Sequence, residues 1–545
     1  MESIVYIDFE TNDPFISRKL GAGWVFAVNT DTKDFKVLGC SVLEPGKEPI
    51  YLTDMNILMQ IVSTYDAICA HNATYELGCL KVLEKQYPDF KGISDKLKIY
   101  DTKLLYKLYD NTLLSYSLDG LSKKYLKAEK GYDKLIDAVW KLDIYPWKKS
   151  ELTAKFKAEA QGFNYVRERP VDKKLLKFAY ENMGLIQQLD LTTMSEYAIL
   201  DVVLCKELYQ KVKDEISEAL KQDYSDLVHI CVAYRLRGVR IDLDKARELS
   251  KDTIPKIEQG LAKIYEIAGE KFNLRSCKDM PRVFDKLGIR YPRNERGNPS
   301  ITTPWLKKQK HEICKLIIDV RNHMKLQGDF FAKIIDMQKY TAPGATSYGI
   351  LFPELNILEA RTGRFSSSSP NIQQQPNFVR QIFLPFEGDT WYSLDFCNQE
   401  GRLQIHYAVK LGCEGARLFQ EEFRKNPNFD MHFTIAKMMG HTCGSNICED
   451  EDLRCDKCKV GRKIAKTINL GLSYGMGIAK LGVSLGLSTE QATLLKEQYD
   501  TYIPYLGQLN RLAKDSLKHN KYIRTISGRK SYIDPAAYIR GKENI

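Results

Sequence analysis

The 545-residue sequence contains no apolar window approaching the length of a membrane-spanning helix, no internal repeat and no long low-complexity tail. Helical membrane channels, stacked-repeat solenoids and disordered scaffolds therefore do not fit its pattern. The opening MESIVYIDFE goes straight into a strand-like run without a basic segment and apolar stretch, so a cytosolic protein without a secretory leader is expected. A surplus of acid is also missing. The 81 Lys and Arg outnumber the 70 Asp and Glu, leaving a formal charge of +11 that favours a polyanionic partner but does not name it.

What the chain does contain is 43% hydrophobic residues, enough to build cores for a globular protein; its length suggests roughly three or four domains. Residues 3–10, 24–29, 35–43 and 67–72 read as strands, and TYELGCLKVLEK and DTKLLYKLYD as helices, so the first part is expected to be a compact α/β domain. Beyond Tyr197 the pattern becomes mainly helical up to about Gln338. A mixed segment of residues 339–407 follows, with the Ser run 366–369 read as a loop and TWYSLDF as a strand. The remainder reads as helical apart from a Cys-bearing loop.

Four groups of residues carry recognisable chemistry. Asp8 and Glu10, two apart on a strand, leave the same face and can share cations. Tyr197 and Asp201 are four apart at helical period, which puts a phenol and a carboxylate together. Arg462, Lys466, Leu470 and Tyr474 recur every fourth residue in GRKIAKTINLGLSYGMG. Two cations one turn apart can clamp phosphate oxygens, and the apolar and aromatic positions beyond them can pack on a sugar and a base. Cys443, Cys448, Cys455 and Cys458 have the spacing C-x4-C-x6-C-x2-C. In a cytosolic chain with 13 cysteines such a cluster suggests tetrahedral Zn²⁺, with free surface thiols as the alternative.

The order of these residues resembles a known family. The Arg462 segment resembles motif B of family A DNA polymerases, R-x-x-x-K-x-x-x-F/Y-x-x-x-Y-G, the fingers helix that carries the incoming deoxynucleotide. RTGRFSSSSPNIQQQP resembles the family's T-G-R-L-S-S-x-x-P-N-L-Q-N-I-P, and WYSLDFCNQEGRLQIHYA resembles its motif A. DMHFTIAKMMG and RTISGRKSYIDP resemble the segments on either side of motif B. Near the N-terminus, D-x-E, H-N-x-x-x-E and Y-x-x-x-D resemble a DEDDy 3′ to 5′ exonuclease domain.

The resemblance implies an α/β multidomain protein. An RNase H-like exonuclease domain at 1–215 would precede a right-hand polymerase fold, with a helical connector and thumb at 216–338, the first part of the palm at 339–407, and fingers at 408–545 bearing a Cys-rich insert at 441–461. It implies that Asp8, Glu10 and Asp201 hold two Mg²⁺ or Mn²⁺ ions, that Glu76 fills the acidic position of the second exonuclease motif in place of the usual Asp, and that Tyr197 orients the attacking water. His71 and Asn72 fall beside that site, with a plain strand-end role equally open for His71.

In the polymerase half Asp395, at the end of its strand, becomes the metal-binding acid. Glu400 closes the space near the ribose 2′ carbon, and Arg364, Asn371, Gln373 and Arg402 fall on DNA-contacting positions. Leu470 replaces an aromatic residue and predicts altered discrimination at the sugar 3′ position. Motif C, His-Asp-Glu, does not occur in the 545 residues, so a second polypeptide carrying it is expected. The expected function is template-directed DNA synthesis for replication with proofreading, on primed template and dNTPs. A DNA-binding exonuclease subunit without polymerase activity is the alternative. A single-subunit RNA polymerase shares motifs A and B, but the exonuclease signature and Glu400 argue against it.

Overall fold

The computed structural model describes residues 2–30, 32–142, 173–294 and 296–533. The last residues of the RTISGRKSYIDP segment, Asp534 and Pro535, lie outside them. The chain divides into two compact units, one made of residues 1–107 and 115–391 and the other of residues 108–114 and 392–545.

In the first unit a five-stranded sheet has the order β3-β2-β1-β4-β5, formed by β1 (Ile4–Asn12), β2 (Lys36–Leu43), β3 (Ile50–Leu52), β4 (Ala67–Ala70) and β5 (Lys98–Asp101). β1 runs antiparallel to β2 and parallel to β4, which needs the crossover supplied by the intervening segments. As the central strand it is covered on both faces, and Val5 and Ile7 are wholly buried. Asp8 lies opposite Ser41, and Glu10 opposite Gly39. The helix Leu191–Val212 packs across β1 and β2 and brings Tyr197 and Asp201 to the carboxylates of β1. Asp190 caps this helix, its side chain accepting from the Thr193 amide at 2.9 Å.

The structure corrects four local expectations. WVFAVN, read as a strand, is the helix Trp24–Asn29; its three buried residues pack against the helix Thr74–Gln86, where Trp24 lies directly over Gly78. A short apolar run has no decisive period, so packing chose its form. Val239–Asp242, inside a stretch read as helical, is β6, paired with β7 (Tyr348–Leu351) and, on its other edge, with a short strand at Phe383–Leu384. Gly238, at φ +67°, ends the preceding helix and permits the change of direction. Ser366–Ser368 is a strand rather than a loop, pairing with Glu354–Asn356, and the Ser368 hydroxyl donates to Glu354 at 3.1 Å.

The fourth correction concerns Trp391–Phe396. This segment is neither strand nor helix, and Tyr392, Leu394 and Phe396 are 81%, 93% and 78% exposed. Strand-like alternation makes a strand only where a neighbour completes the ladder, and none of the described strands pairs with it. Asp395 is therefore not held at a rigid strand end.

In the second unit the helix Asp456–Ser473 turns Gly461, Ala465, Ile468 and Leu472 inward, the last three joining a core with Ile405, Ala408, Phe419, Ile435, Tyr499 and Tyr505. Truncating Ile468 to Ala would cost about 2–5 kcal/mol by opening a cavity. Burial of one face leaves the Arg462 stripe on the other.

Candidate functional site

Asp8, Glu10 and Asp201 each offer a carboxylate oxygen to a group whose atoms all lie within 4.8 Å of one another. Three acids this close repel, and burial removes the water that would screen them. Burial raises Asp8 to about 8, with the Asp201 charge adding to the rise and Lys130 opposing it. Glu10 is raised by burial and by the charges of Asp8 and Asp201. Glu76, buried on the first turn of its helix, is raised by burial and by Asp8.

Asp201 Oδ1 and Glu76 Oε2 are buried without a hydrogen-bond partner among the described residues. Acceptor oxygens left in this way, on acids whose charges are mutually unfavourable, fit hard divalent cations. Tyr197 lies against Asp201 and lowers it, and its hydroxyl meets that of Tyr180 at 3.2 Å.

A lysine also enters the group. Lys130 Nζ contacts Asp201 Oδ2 at 2.5 Å and lies 5.1 Å from the Tyr197 ring centre. Burial works to lower Lys130, but the charges of Asp201, Tyr180 and Asp8 and the Asp201 hydrogen bond together outweigh it and the amine is raised. No local motif marks this residue, which meets Asp201 only through the fold. His71 follows the end of β4: its Nδ1 meets Thr102 Oγ1 at 2.9 Å and its Nε2 the Tyr116 carbonyl at 3.0 Å. Burial and the nearby Lys103 and Lys130 push it down to about 3, which keeps it neutral. Asn72, at φ +73°, receives Lys103 Nζ on Oδ1 at 2.9 Å.

In the 361–376 segment Arg364 is exposed, while Asn371 and Gln373 shape the turn. Asn371 Oδ1 accepts from the amides of Gln373 at 3.0 Å and Gln374 at 3.3 Å, and Gln373 Nε2 donates to the Phe365 carbonyl at 3.3 Å.

The second unit carries the cationic stripe. Arg462, Lys466, Leu470 and Tyr474 follow one another along the helix Asp456–Ser473 and its C-terminal cap. Lys466 is exposed and forms no ion pair among the described residues. Arg462 Nε donates to Asp430 Oδ2 at 2.6 Å, which leaves its two terminal nitrogens for other acceptors. Tyr474 donates to Glu400 at 3.1 Å and so joins the end of this helix to the start of the helix Gln399–Lys410. Arg402 is braced by the protein itself: Nε donates to the Cys397 carbonyl at 2.9 Å, Nη2 to the Pro427 carbonyl, and the guanidinium lies 4.2 Å from the Phe423 ring centre. Asp395 is exposed, makes no hydrogen bond or ion pair among the described residues, and belongs to no cluster there of three or more potential metal ligands.

Cys443, Cys448, Cys455 and Cys458 also bring their sulfurs within 4.8 Å of one another. Cys443 Sγ is 3.6 Å from Cys448 Sγ and 3.4 Å from Cys458 Sγ. These separations exceed a disulfide bond and approach the edge, about 3.8 Å, of a tetrahedron with Zn–S bonds of about 2.3 Å. Backbone amides of Cys443, Ser445 and Cys455 donate to sulfur at 3.3, 3.5 and 3.5 Å, stabilising thiolate charge. The Ser445 amide and the neighbouring thiols lower Cys443 to about 7. Four thiols so arranged fit Zn²⁺.

The sequence model of DNA polymerase family A matches residues 243–543, more than half of the chain. The chain belongs to DNA polymerase family A. This family A chain is 26% identical over 479 residues to the DNA polymerase DpoZ of Salmonella phage PMBT28, covering 79% of itself and 68% of that protein. With the DNA-directed DNA polymerase of Pseudomonas phage M6 it shares 27% identity, covering 66% of itself and 61% of the relative. It is 28% identical to DNA polymerase I of Synechocystis sp., covering 66% of itself but 36% of that longer protein. The solved POL domain of Pol1 from M. smegmatis, complexed with DNA primer-template and dNTP, aligns with 99% of this chain and 80% of its own at a TM-score of 0.66. At 18% identity that likeness establishes the fold alone.

Beside the family's stripe the structure reveals groups that spacing did not single out. His432 is buried near Arg462 and Lys466, with Nδ1 3.5 Å from Asn469 Nδ2, and burial pushes it down to about 4. Tyr499 donates to Asn469 at 2.5 Å. Asp430 stood in the recognisable DMHFTIAKMMG segment, but nothing local tied it to Arg462.

Proposed function

We propose that this family A chain is a DNA polymerase of phage type with a 3′ to 5′ proofreading exonuclease, acting on primed template and dNTPs in the cytoplasm of its host cell. The observation that carries the exonuclease reading is the convergence of Asp8, Glu10 and Asp201 within 4.8 Å. Two Mg²⁺ or Mn²⁺ ions held by these acids would supply an activated water and stabilise the leaving 3′ oxygen. Glu76 adds negative charge beside Asp8, and Tyr197 orients the water against the scissile phosphate. Lys130 balances the acids before the ions arrive and is then placed to meet a phosphate oxygen.

For synthesis, Arg462 and Lys466 clamp the triphosphate and Leu470 and Tyr474 pack on sugar and base. Glu400, held by Tyr474, limits the space beside the ribose. Arg364, Asn371, Gln373 and Arg402 lie along the DNA path. Asp395 holds metal together with a carboxylate that the described residues do not bring to it, and a motif C segment outside them is the group that would supply it. The Cys443, Cys448, Cys455 and Cys458 loop holds one structural Zn²⁺. Its absence from purified protein in reducing buffer would remove that assignment.

The deciding assay uses 5′-labelled primer on template with Mg²⁺ and dNTPs, resolving products by length, with and without a fragment bearing motif C. Shortening by the chain alone and extension on adding the fragment are expected. A primer left at full length in the first reaction overturns the exonuclease; extension in that reaction overturns the need for a partner. The alternative, an exonuclease subunit without polymerase activity, is favoured by the exposed and unpaired Asp395 segment; failure to extend under every condition would select it.

A further inference from the structure

The Cys-rich loop touches the triphosphate stripe through one buried arginine. Arg454 lies between Cys448 and Cys455 in sequence and is 5% exposed. Its Nε donates to the Cys448 carbonyl at 3.1 Å and its Nη2 to the Glu449 carbonyl at 3.4 Å, so the backbone of the four-thiol loop fixes its plane. The guanidinium also lies 4.3 Å from the centre of the Phe433 ring, and that ring packs against Cys448 and Cys458 in a small core of its own.

The far end of Arg454 points at the clamp. Nη1 lies 2.8 Å from Asp430 Oδ2, the same oxygen that accepts from Arg462 Nε at 2.6 Å. The other oxygen, Oδ1, accepts from the Phe433 amide at 3.0 Å and caps the helix Met431–Met438. Burial works to raise Asp430, but the Arg462 bond, the Phe433 amide and the Arg454 charge outweigh it and keep the carboxyl ionised. A carboxylate with both oxygens engaged has one orientation, and it fixes the Nε edge of Arg462.

Loop and helix are also tied at the backbone. A Cβ on Gly461 would lie 1.9 Å from the His441 carbonyl oxygen, so only glycine allows the helix to approach the segment leading into Cys443 this closely.

We propose that the metal-held Cys loop is a positioning platform for the triphosphate clamp: through Arg454 and Asp430 it pins the Nε edge of Arg462 and leaves its terminal nitrogens aimed at phosphate. Asp430 would otherwise form a simple pair with Arg462 and draw charge from the clamp. Arg454 shares that carboxylate, with the exposed Glu451 3.8 Å from the same Nη1 as a second, outer acid, so Asp430 is not left to Arg462 alone. Metal in the loop holds the Cys448 and Glu449 carbonyls where Arg454 needs them. The inference rests on the reading of Arg462 as a phosphate ligand and of the four thiols as a metal site.

The test measures dTTP affinity by equilibrium binding and zinc content by elemental analysis, on the full chain and its variants. In Arg454→Met zinc stays at the parent level and the dTTP Kd rises roughly tenfold, the lower range for losing an outer-shell partner. Arg454→Lys keeps the charge but not the fork, and recovers part of the loss. Arg462→Ala raises the Kd at least as far, and adding Arg454→Met to it changes little, because the two act as one unit. Stripping the metal raises the Kd of the parent but not of Arg454→Met.

Additive losses in the double variant, or parent-like affinity in Arg454→Met, would overturn the proposal. Should Arg454→Met lose its zinc or fold, Asp430→Asn decides: it keeps the helix cap and lies outside the loop, so unchanged affinity there also overturns it. Parent-like binding by Arg462→Ala would instead sink the phosphate-clamp reading, and the platform with it.

Discussion

Asp8, Glu10 and Asp201 converge with Lys130 on a sheet covered on both faces, whereas Asp395 lies on an exposed, unpaired segment. Both sets of acids stand in segments that resemble known motifs, and both were expected to bind metal. The difference lies in what surrounds them. A paired strand and a capped helix fix three carboxylates at distances where they repel, and the chain's own Lys130 answers part of that repulsion. One acid on an unpaired strand-like segment feels no such repulsion. A motif names the ligand, but the scaffold sets the affinity.

The largest effect that can break this comparison is loss of a pre-assembled ligand. Asp201→Ala should lower 3′ degradation of labelled single-stranded DNA by more than about 100-fold, beyond the range of outer-shell losses. Rates within a few-fold of parent would place the cutting elsewhere. Arg462→Ala comes next: losing a charge-assisted contact of about 1.5–3 kcal/mol should weaken dTTP binding about 10- to 100-fold while leaving degradation intact.

Lys130→Met tests the balance within the cluster. Breaking a buried ion pair costs about 3–5 kcal/mol, so the metal-free variant should melt several degrees lower, and Mg²⁺ should recover more of that stability than it adds to the parent. An equal Mg²⁺ response in both proteins would separate Lys130 from the ion site.

The smallest effect is a pH slope shared by both units. His71 and His432 are pushed down to about 3 and 4 from about 6.5, so each binds fewer protons folded than unfolded. Their contribution is fully present above pH 6.5 and is lost as pH falls toward those folded values. Asp8, raised to about 8, works the other way over the same range, so the check is a difference between proteins: from pH 7 to 5 His432→Gln should lose less melting temperature, or gain more, than the parent. A slope that does not change in that variant removes His432 from the balance.

Much of this could be read before the fold was known, because it is local. The period of four from Arg462 to Tyr474 and the period of two from Asp8 to Glu10 are properties of a helix and a strand, and both survive folding. The Cys spacing was legible for the same reason. Lys130 against Asp201, Arg454 against Asp430 and Asp430 against Arg462 are meetings across 71, 24 and 32 residues of sequence that no local period encodes. TWYSLDF misled in the opposite direction: its alternation is that of a strand, yet a strand exists only with a neighbour. WVFAVN became a helix because Trp24 found Gly78 to pack against.

The most direct test of the central contrast is Mn²⁺ binding measured on the DNA-free chain, with Asp201→Ala and Asp395→Ala side by side. The account predicts that tight ions disappear in Asp201→Ala and persist unchanged in Asp395→Ala. Ions that survive Asp201→Ala but are lost with Asp395→Ala would contradict it.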